Sequence, residues 1–199
     1  MSGIRPFRAG DEPAIAEICV RTADDGGDAT GLLDDDALWP AMFALPYAAR
    51  HPDLAFVAEV DGRVVGYVVG TDDTRRFEEW FAAEWWPAAG TRWPRDGAGR
   101  QAELLAYADA RGGAGPYADD HPAHLHIDLL PEAQGRGLGR RLIATFVDAL
   151  RRRGVPGVHL VASAGNAAAA LFYPRVGFAP LPAPDGDRAF GLRLHQRVP

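Results

Sequence analysis

The chain has 199 residues, 47% of them hydrophobic, and a formal net charge of −6. That is enough apolar material for one core of ordinary size, while the acidic balance argues against non-specific nucleic-acid binding, and a single cysteine, Cys19, excludes an internal disulfide framework and a thiolate zinc cluster. No run reaches the ~18 apolar residues of a membrane span, and Met1-Ser-Gly-Ile-Arg lacks the apolar core of a signal peptide, so the expectation is a soluble, cytoplasmic protein with no membrane or nucleic-acid partner.

Residues 3–8 read as a first strand. Asp11 is placed to cap a helix whose first turn tolerates Pro13 and whose apolar stripe is Ile15, Ile18 and Cys19. Residues 24–36, rich in Asp and Gly, read as a loop. A helical stretch over 36–50 is broken near Pro40 and Pro46. Residues 54–60 and 63–71 are β-rich, and Asp61-Gly62 between them is a strong hairpin signal. Residues 72–122 then interrupt the strands with a segment helical in tone, holding Trp80, Trp85, Trp86 and Trp93. It is too long for a bare connection and should carry structure of its own.

Residues 123–130 form the next strand. The clearest helix covers 137–153, where Leu138, Leu142, Ile143, Phe146, Val147 and Leu150 share one face and Arg151 to Arg153 suit the C-terminal dipole. A strand over 157–162, a short helix over 166–176 and a final strand pair over 178–181 and 188–194 complete the pattern. It is an α/β fold with a mixed sheet, read as one domain over 1–199 with 72–122 as a helical, aromatic-rich insertion. Nothing in the pattern sets an oligomeric state.

The strand at 123–130 runs through Pro131 into Gln134-Gly135-Arg136-Gly137-Leu138-Gly139-Arg140, which opens the long helix directly. A helix start offers free N–H groups and a partial positive charge. Glycines let a diphosphate approach those donors, and Arg136 and Arg140 could add charge-assisted contacts. The spacing is neither the dinucleotide fingerprint nor the Walker loop. The plain alternative is a tight strand-to-helix turn that binds nothing.

Gln134-x-x-Gly137-x-Gly139 resembles the Gln/Arg-x-x-Gly-x-Gly/Ala signature of the GNAT acetyltransferases. The resemblance implies a mostly antiparallel mixed sheet flanked by helices, with acetyl-CoA as co-substrate and its pyrophosphate on this loop. It also implies that the backbone groups of Leu129 and Leu130 pair with the pantetheine arm and polarise the thioester. A second stretch, Asn166-Ala-Ala-Ala-Ala170-Leu-Phe-Tyr173-Pro-Arg-Val-Gly177-Phe178, resembles the family's other signature. There Asn166 would bond a pantetheine amide, Ala170 would let the cofactor pack closely, and Tyr173 would protonate the departing sulfur. The bland readings are an N-cap for Asn166 and a core aromatic for Tyr173. Pro174 departs from the family pattern and is expected to end the helix at Tyr173.

Leu54-Ala-Phe-Val-Ala-Glu59, Gly66-Tyr67-Val-Val-Gly70-Thr71, Trp85-Trp86-Pro87 and His126-Ile127-Asp128 resemble more narrowly the acetyltransferase-like domain joined to eukaryotic O-GlcNAc hydrolases. Loss of cofactor binding within that group opens a second reading, an inactive acetyl-CoA-binding pseudo-acetyltransferase serving as a sensor or interaction module. The intact glycine loop favours retained binding. A third reading is a CoA-free interaction domain built on the Trp segment.

An N-acetyltransferase moves the acetyl group to a small-molecule or peptide amine and needs a proton acceptor. His124, His126 and Asp128 alternate on the strand before the loop and share a face. Asp128 lies nearest the expected acetyl position; its alternative is a buried carboxylate with a structural partner. His124-x-His126 also begins a metal set, but no third ligand accompanies it, and no metal is expected. Asp72 and Asp73 either bind a cationic substrate or cap the next helix. The tryptophans of 72–122 either face the acceptor or build their own small core. The acceptor stays open between protein lysine, N-terminal amine, polyamine and amino sugar. All the basic charge is arginine, so such an enzyme could acetylate itself only at its N-terminus.

Overall fold

The computed structural model describes residues 2–113 and 115–194; Met1, and with it the N-terminal amine, lies outside them. Strand β1 (Ser2–Pro6) leads into helix α1 (Glu12–Val20). Asp11 does not cap α1 with its side chain. Its carboxylate takes Arg5 through two bonds of 2.7 and 2.9 Å and the Arg8 N–H at 2.8 Å, tying strand to helix. The stretch expected over 36–50 is two helices, α2 (Leu38–Phe43) and α3 (Leu45–Arg50), which meet at Ala44. Pro40 and Pro46 both fall in first turns, where a missing N–H costs nothing.

Strands β2 (Phe56–Val60) and β3 (Arg63–Thr71) form the expected hairpin. Asp61 and Gly62, at φ 49° and 82°, give the turn its matching twist. The insertion contains α4 (Thr74–Trp80), a π turn (Phe81–Trp85), α5 (Trp86–Ala89) and α6 (Arg100–Ala110). Its aromatics build a core of their own and dock it. Phe81, Trp86 and Trp93 stack in series at 5.8 and 6.1 Å. Trp85 Nε1 donates to Ala41 O at 2.9 Å, and Trp93 Nε1 to Asp35 at 2.9 Å. Asp73 caps α4 by accepting the Arg76 N–H at 3.1 Å, and Asp72 pairs with Arg153 at 2.6 Å. Of the two readings of this pair, the capping one describes Asp73, and Asp72 sits in an ion pair.

Strand β4 (Ala123–Leu129) is followed by α7 (Leu138–Arg152), β5 (Gly157–Ser163), α8 (Ala167–Arg175), β6 (Ala179–Leu181) and β7 (Asp187–Arg193). The apolar face of α7 is buried as its spacing predicts, with Leu142, Phe146 and Leu150 fully covered. Each contributes about 1.5–3 kcal/mol by leaving water. Helix α8 does not stop at Tyr173 but carries Pro174 inside it. A proline one residue from a helix end removes only one ladder bond.

The seven strands form a mixed sheet in the order β1-β2-β3-β4-β5-β7-β6, antiparallel at every pair except β4 with β5. That parallel pair has two rungs, Ala123↔Val158 and His124↔His159. Beyond them β4 stays with β3 as far as Gly66↔Leu129, and β5 stays with β7 as far as Ser163↔Asp187. The sheet therefore opens between its two central strands.

Candidate active site at the parted strands

Two cavities meet at this opening. The outer cleft, ≈ 530 Å³, runs from Leu129 and the Gln134–Arg140 loop to α8. The second, ≈ 260 Å³, lies between the diverging strands and the loop after α1. Asp25, Gly26, Asp128, Asn166 and Tyr173 border both.

The loop is shaped as its glycines suggest. Gly135 and Gly137 take φ of 70° and 75°, and Gly137 starts α7 without a side-chain cap. The first α7 ladder bond is Arg141 N to Gly137 O at 3.2 Å, so the N–H groups of Leu138, Gly139 and Arg140 have no partner inside the helix. Gly135, Gly137, Leu138, Gly139 and Arg140 all line the outer cleft. Gln134 lines it too, but its Nε2 donates to Leu129 O at 3.1 Å and ties the loop to the strand. Arg136 is exposed and outside the lining, whereas Arg175, which the sequence reading missed, is part of it. Neither Arg140 nor Arg175 has an ion pair among the described residues.

The strand edge corrects one expectation. Leu130 N donates to Val65 O at 3.0 Å, and Ala133 N donates to Leu130 O at 2.8 Å, so the Leu130 peptide groups are committed inside the fold. With Gly66 opposite Leu129, the alternation of an antiparallel ladder turns the peptide groups of Ile127 and Leu129 away from β3, toward the opening. Leu129 and Ile127, not Leu130, present backbone to the gap. The small residues facing the cleft from α8 are Ala168 and Ala169; Ala170 is outside the lining. Asn166 does cap α8, its Oδ1 accepting the Ala169 N–H at 2.9 Å, and borders both cavities as well.

The hydrogen-bond network fixes the tautomers of two of the three proton-acceptor candidates. Thr74 Oγ1 donates to Pro122 O at 2.7 Å, so at 2.8 Å it accepts from His124 Nδ1. His124 Nε2 is then bare and accepts the Tyr47 hydroxyl proton at 2.8 Å. Tyr47 Oη already accepts Arg111 at 2.7 Å and has no second proton to give, so His126 Nε2 donates to it at 3.1 Å. Both rings are neutral. Burial drives His124 well down, and burial with the Arg111 guanidinium pushes His126 down to about 3. Neither is a proton sink near neutral pH. Asp128 differs: burial raises its carboxyl to about 6, against the lowering effects of the hydrogen bonds from Tyr67 and Thr22. Tyr173 is pushed up by burial and by the charge of Asp128 and keeps its proton. Its ring is enclosed by Phe172, Phe178 and Phe190, and its hydroxyl has no hydrogen-bond partner among the described residues. Cys19, on the wall of the second cavity, is buried and its thiol is raised, so it is no nucleophile.

A sheet parted at its parallel pair, with a bare glycine-rich helix start at the gap, is the frame of an acyl-CoA-dependent N-acyltransferase. The chain belongs to the Acetyltransferase (GNAT) family, whose pattern it matches over residues 28–178; members of that family draw on acetyl-CoA. It is 32% identical to the mycothiol acetyltransferase of Nocardia farcinica over 88% of its own length, and it spans 61% of the length of that relative. Among solved structures it is similar to SsHAT, 40% identical with a TM-score of 0.89 over 98% of both chains. YncA from Salmonella typhimurium, solved with its cofactor acetyl-CoA, shares the fold at 17% identity and a TM-score of 0.58, over 100% of this chain and 96% of that one.

Proposed function

We propose that this chain transfers the acetyl group of acetyl-CoA to an amine by direct attack, with the cofactor in the outer cleft and the acceptor in the second cavity. The observation that carries the reading is the pair of cavities meeting at Asp128 and Tyr173. When bound, acetyl-CoA supplies the activated acetyl carbon and a thiolate leaving group. The N–H groups of Leu138, Gly139 and Arg140, with Arg140 and Arg175, suit its phosphates. The peptide groups of Ile127 and Leu129 suit its pantetheine arm, and Ala168 and Ala169 leave room for it. Asp128 receives a proton from the incoming ammonium, which leaves the nitrogen lone pair free. Tyr173 gives its proton to the departing sulfur and is resupplied from the nitrogen as that becomes an amide. The cytoplasmic setting read from the sequence belongs to the same proposal.

CoA release over an amine panel tests it. Tyr173→Phe should lower kcat by about 10²–10⁴ and leave the KM for acetyl-CoA near its starting value. If wild type turns over no amine yet melts at higher temperature with acetyl-CoA, the second reading holds. That reading is a pseudo-acetyltransferase sensor of the kind suggested by the narrower resemblance to the domain joined to O-GlcNAc hydrolases.

A further inference from the structure

The two cavities share their carboxylates but not their cations. The outer cleft carries Arg140 and Arg175, whereas the second cavity has no arginine in its walls, in a chain whose every basic residue is arginine. Its charged groups are the carboxylates of Asp25 and Asp128. The rest of its wall includes Trp39 and Phe43, and His126 beside them is held neutral.

Asp25 is unlike the acidic residues around it. Asp24 pairs with Arg100 at 2.9 Å, and Asp28 bonds Thr30. Asp25 is exposed, with no hydrogen bond or ion pair among the described residues. Its backbone is left-handed, φ 54°, in a turn closed by Asp24 N to Gly27 O at 3.1 Å and Gly27 N to Asp24 O at 2.7 Å. Few side chains adopt that conformation, and Asp is among those that do. Its carboxylate lies across Gly165, where any Cβ would collide with Oδ2. The turn thus holds a free carboxylate at the point where the cavities meet. A second feature of that point is independent of the acids: Tyr173, 8% exposed and without a hydroxyl partner among the described residues, borders the same space.

We propose that the second cavity binds a compact primary amine in its ammonium form, received by Asp25 at the mouth, and rejects amines that carry a carboxylate beside the nitrogen. The proposal rests on the acetyl-transfer reading for its purpose, since it names the acceptor class of that site. An ammonium facing Asp25 and Asp128 is attracted by both, whereas an adjacent carboxylate meets two like charges and no cation to offset them. The cavity's ≈ 260 Å³ amounts to about nine water volumes, which suits a body of similar atom count against the Trp39 and Phe43 rings.

Phenethylamine and phenylalanine, which differ only by the carboxylate, are the probes. Calorimetric titration of each into the CoA-saturated chain should give at least ten-fold tighter binding of phenethylamine. Asp25→Asn should weaken phenethylamine at least five-fold and leave phenylalanine no weaker than before. Asparagine tolerates the left-handed turn, and Asp25→Gly, which adopts it freely, serves if the first variant fails to melt cooperatively. Equal affinities for the two probes, no uptake of phenethylamine by wild type, or undiminished uptake by the variant overturns the proposal. A separate titration with CoA alone keeps the two readings apart. Absence of CoA binding sinks the acetyl-transfer reading, while the same amine titrations on the CoA-free chain still decide the cavity.

Discussion

Asp128 holds a position that suits its proposed role and costs the fold. Its carboxyl titrates at about 6 in the folded chain against 3.8 when exposed. Between those values the folded state binds more protons than the unfolded one, so stability falls as pH rises through that window. Above pH 6 the whole penalty is present, at most about 3 kcal/mol. Asp128→Asn keeps an oxygen for the Tyr67 hydroxyl and removes the charge. It should melt above wild type at pH 7.5, with the difference fading toward pH 4.5, while turnover drops at least ten-fold. An unchanged melting temperature at pH 7.5 would mean that burial does not set the Asp128 pKa. Residue type and spacing made Asp128, Tyr173 and the glycines legible. They could not make Arg175 or Asp25 legible, because each reaches the site from a separate loop or helix end. The sequence offered only a turn signal around Gly26-Gly27, with no sign of what the turn presents. Leu130 was misplaced by one because which peptides face outward depends on the hydrogen-bonding phase of the ladder, which side-chain alternation does not reveal.

The segment between β3 and β4 reaches the wall of the second cavity through buried hydrogen bonds from Arg111 by way of Tyr47 to His126. Arg111, at the end of α6, bonds Glu78 through two contacts of 2.8 Å with both side chains under 10% exposed, and it also donates to Met42 O and Tyr47. Tyr47 thus accepts the Arg111 N–H while its own proton goes to His124, whose tautomer Thr74 sets. Arg111→Met leaves Glu78 buried without its cation and should cost about 3–5 kcal/mol in urea unfolding. Removing both charges, as Arg111→Met with Glu78→Leu, should cost less than the single change. A double variant that is less stable than the single one would contradict this account. The helices and strands themselves followed from periodicity: α7 from its apolar stripe, the β2–β3 hairpin from Asp61-Gly62. The tertiary purpose of the tryptophans did not, because indole at helical spacing reads alike whether it covers a substrate or a neighbouring helix. Trp39, outside the insertion, borders the second cavity.

At the scale of the whole molecule, the two cavities open on a common point, and no thiol nucleophile lies there to carry an acyl group. On the proposed function both substrates must be present together. Initial-rate lines for acetyl-CoA at several fixed amine concentrations should therefore intersect; parallel lines would mean a covalent relay. The central sheet, meanwhile, is left with missing rungs past His124 and His159. Peptide edges normally demand a partner, and on the proposed function that partner is the pair of amides in a pantetheine chain. The coenzyme would then act as a removable eighth ribbon, stitching the two halves of the sheet when it arrives and unpicking them when it leaves. How firmly the halves hold together would follow the cell's supply of acyl carrier.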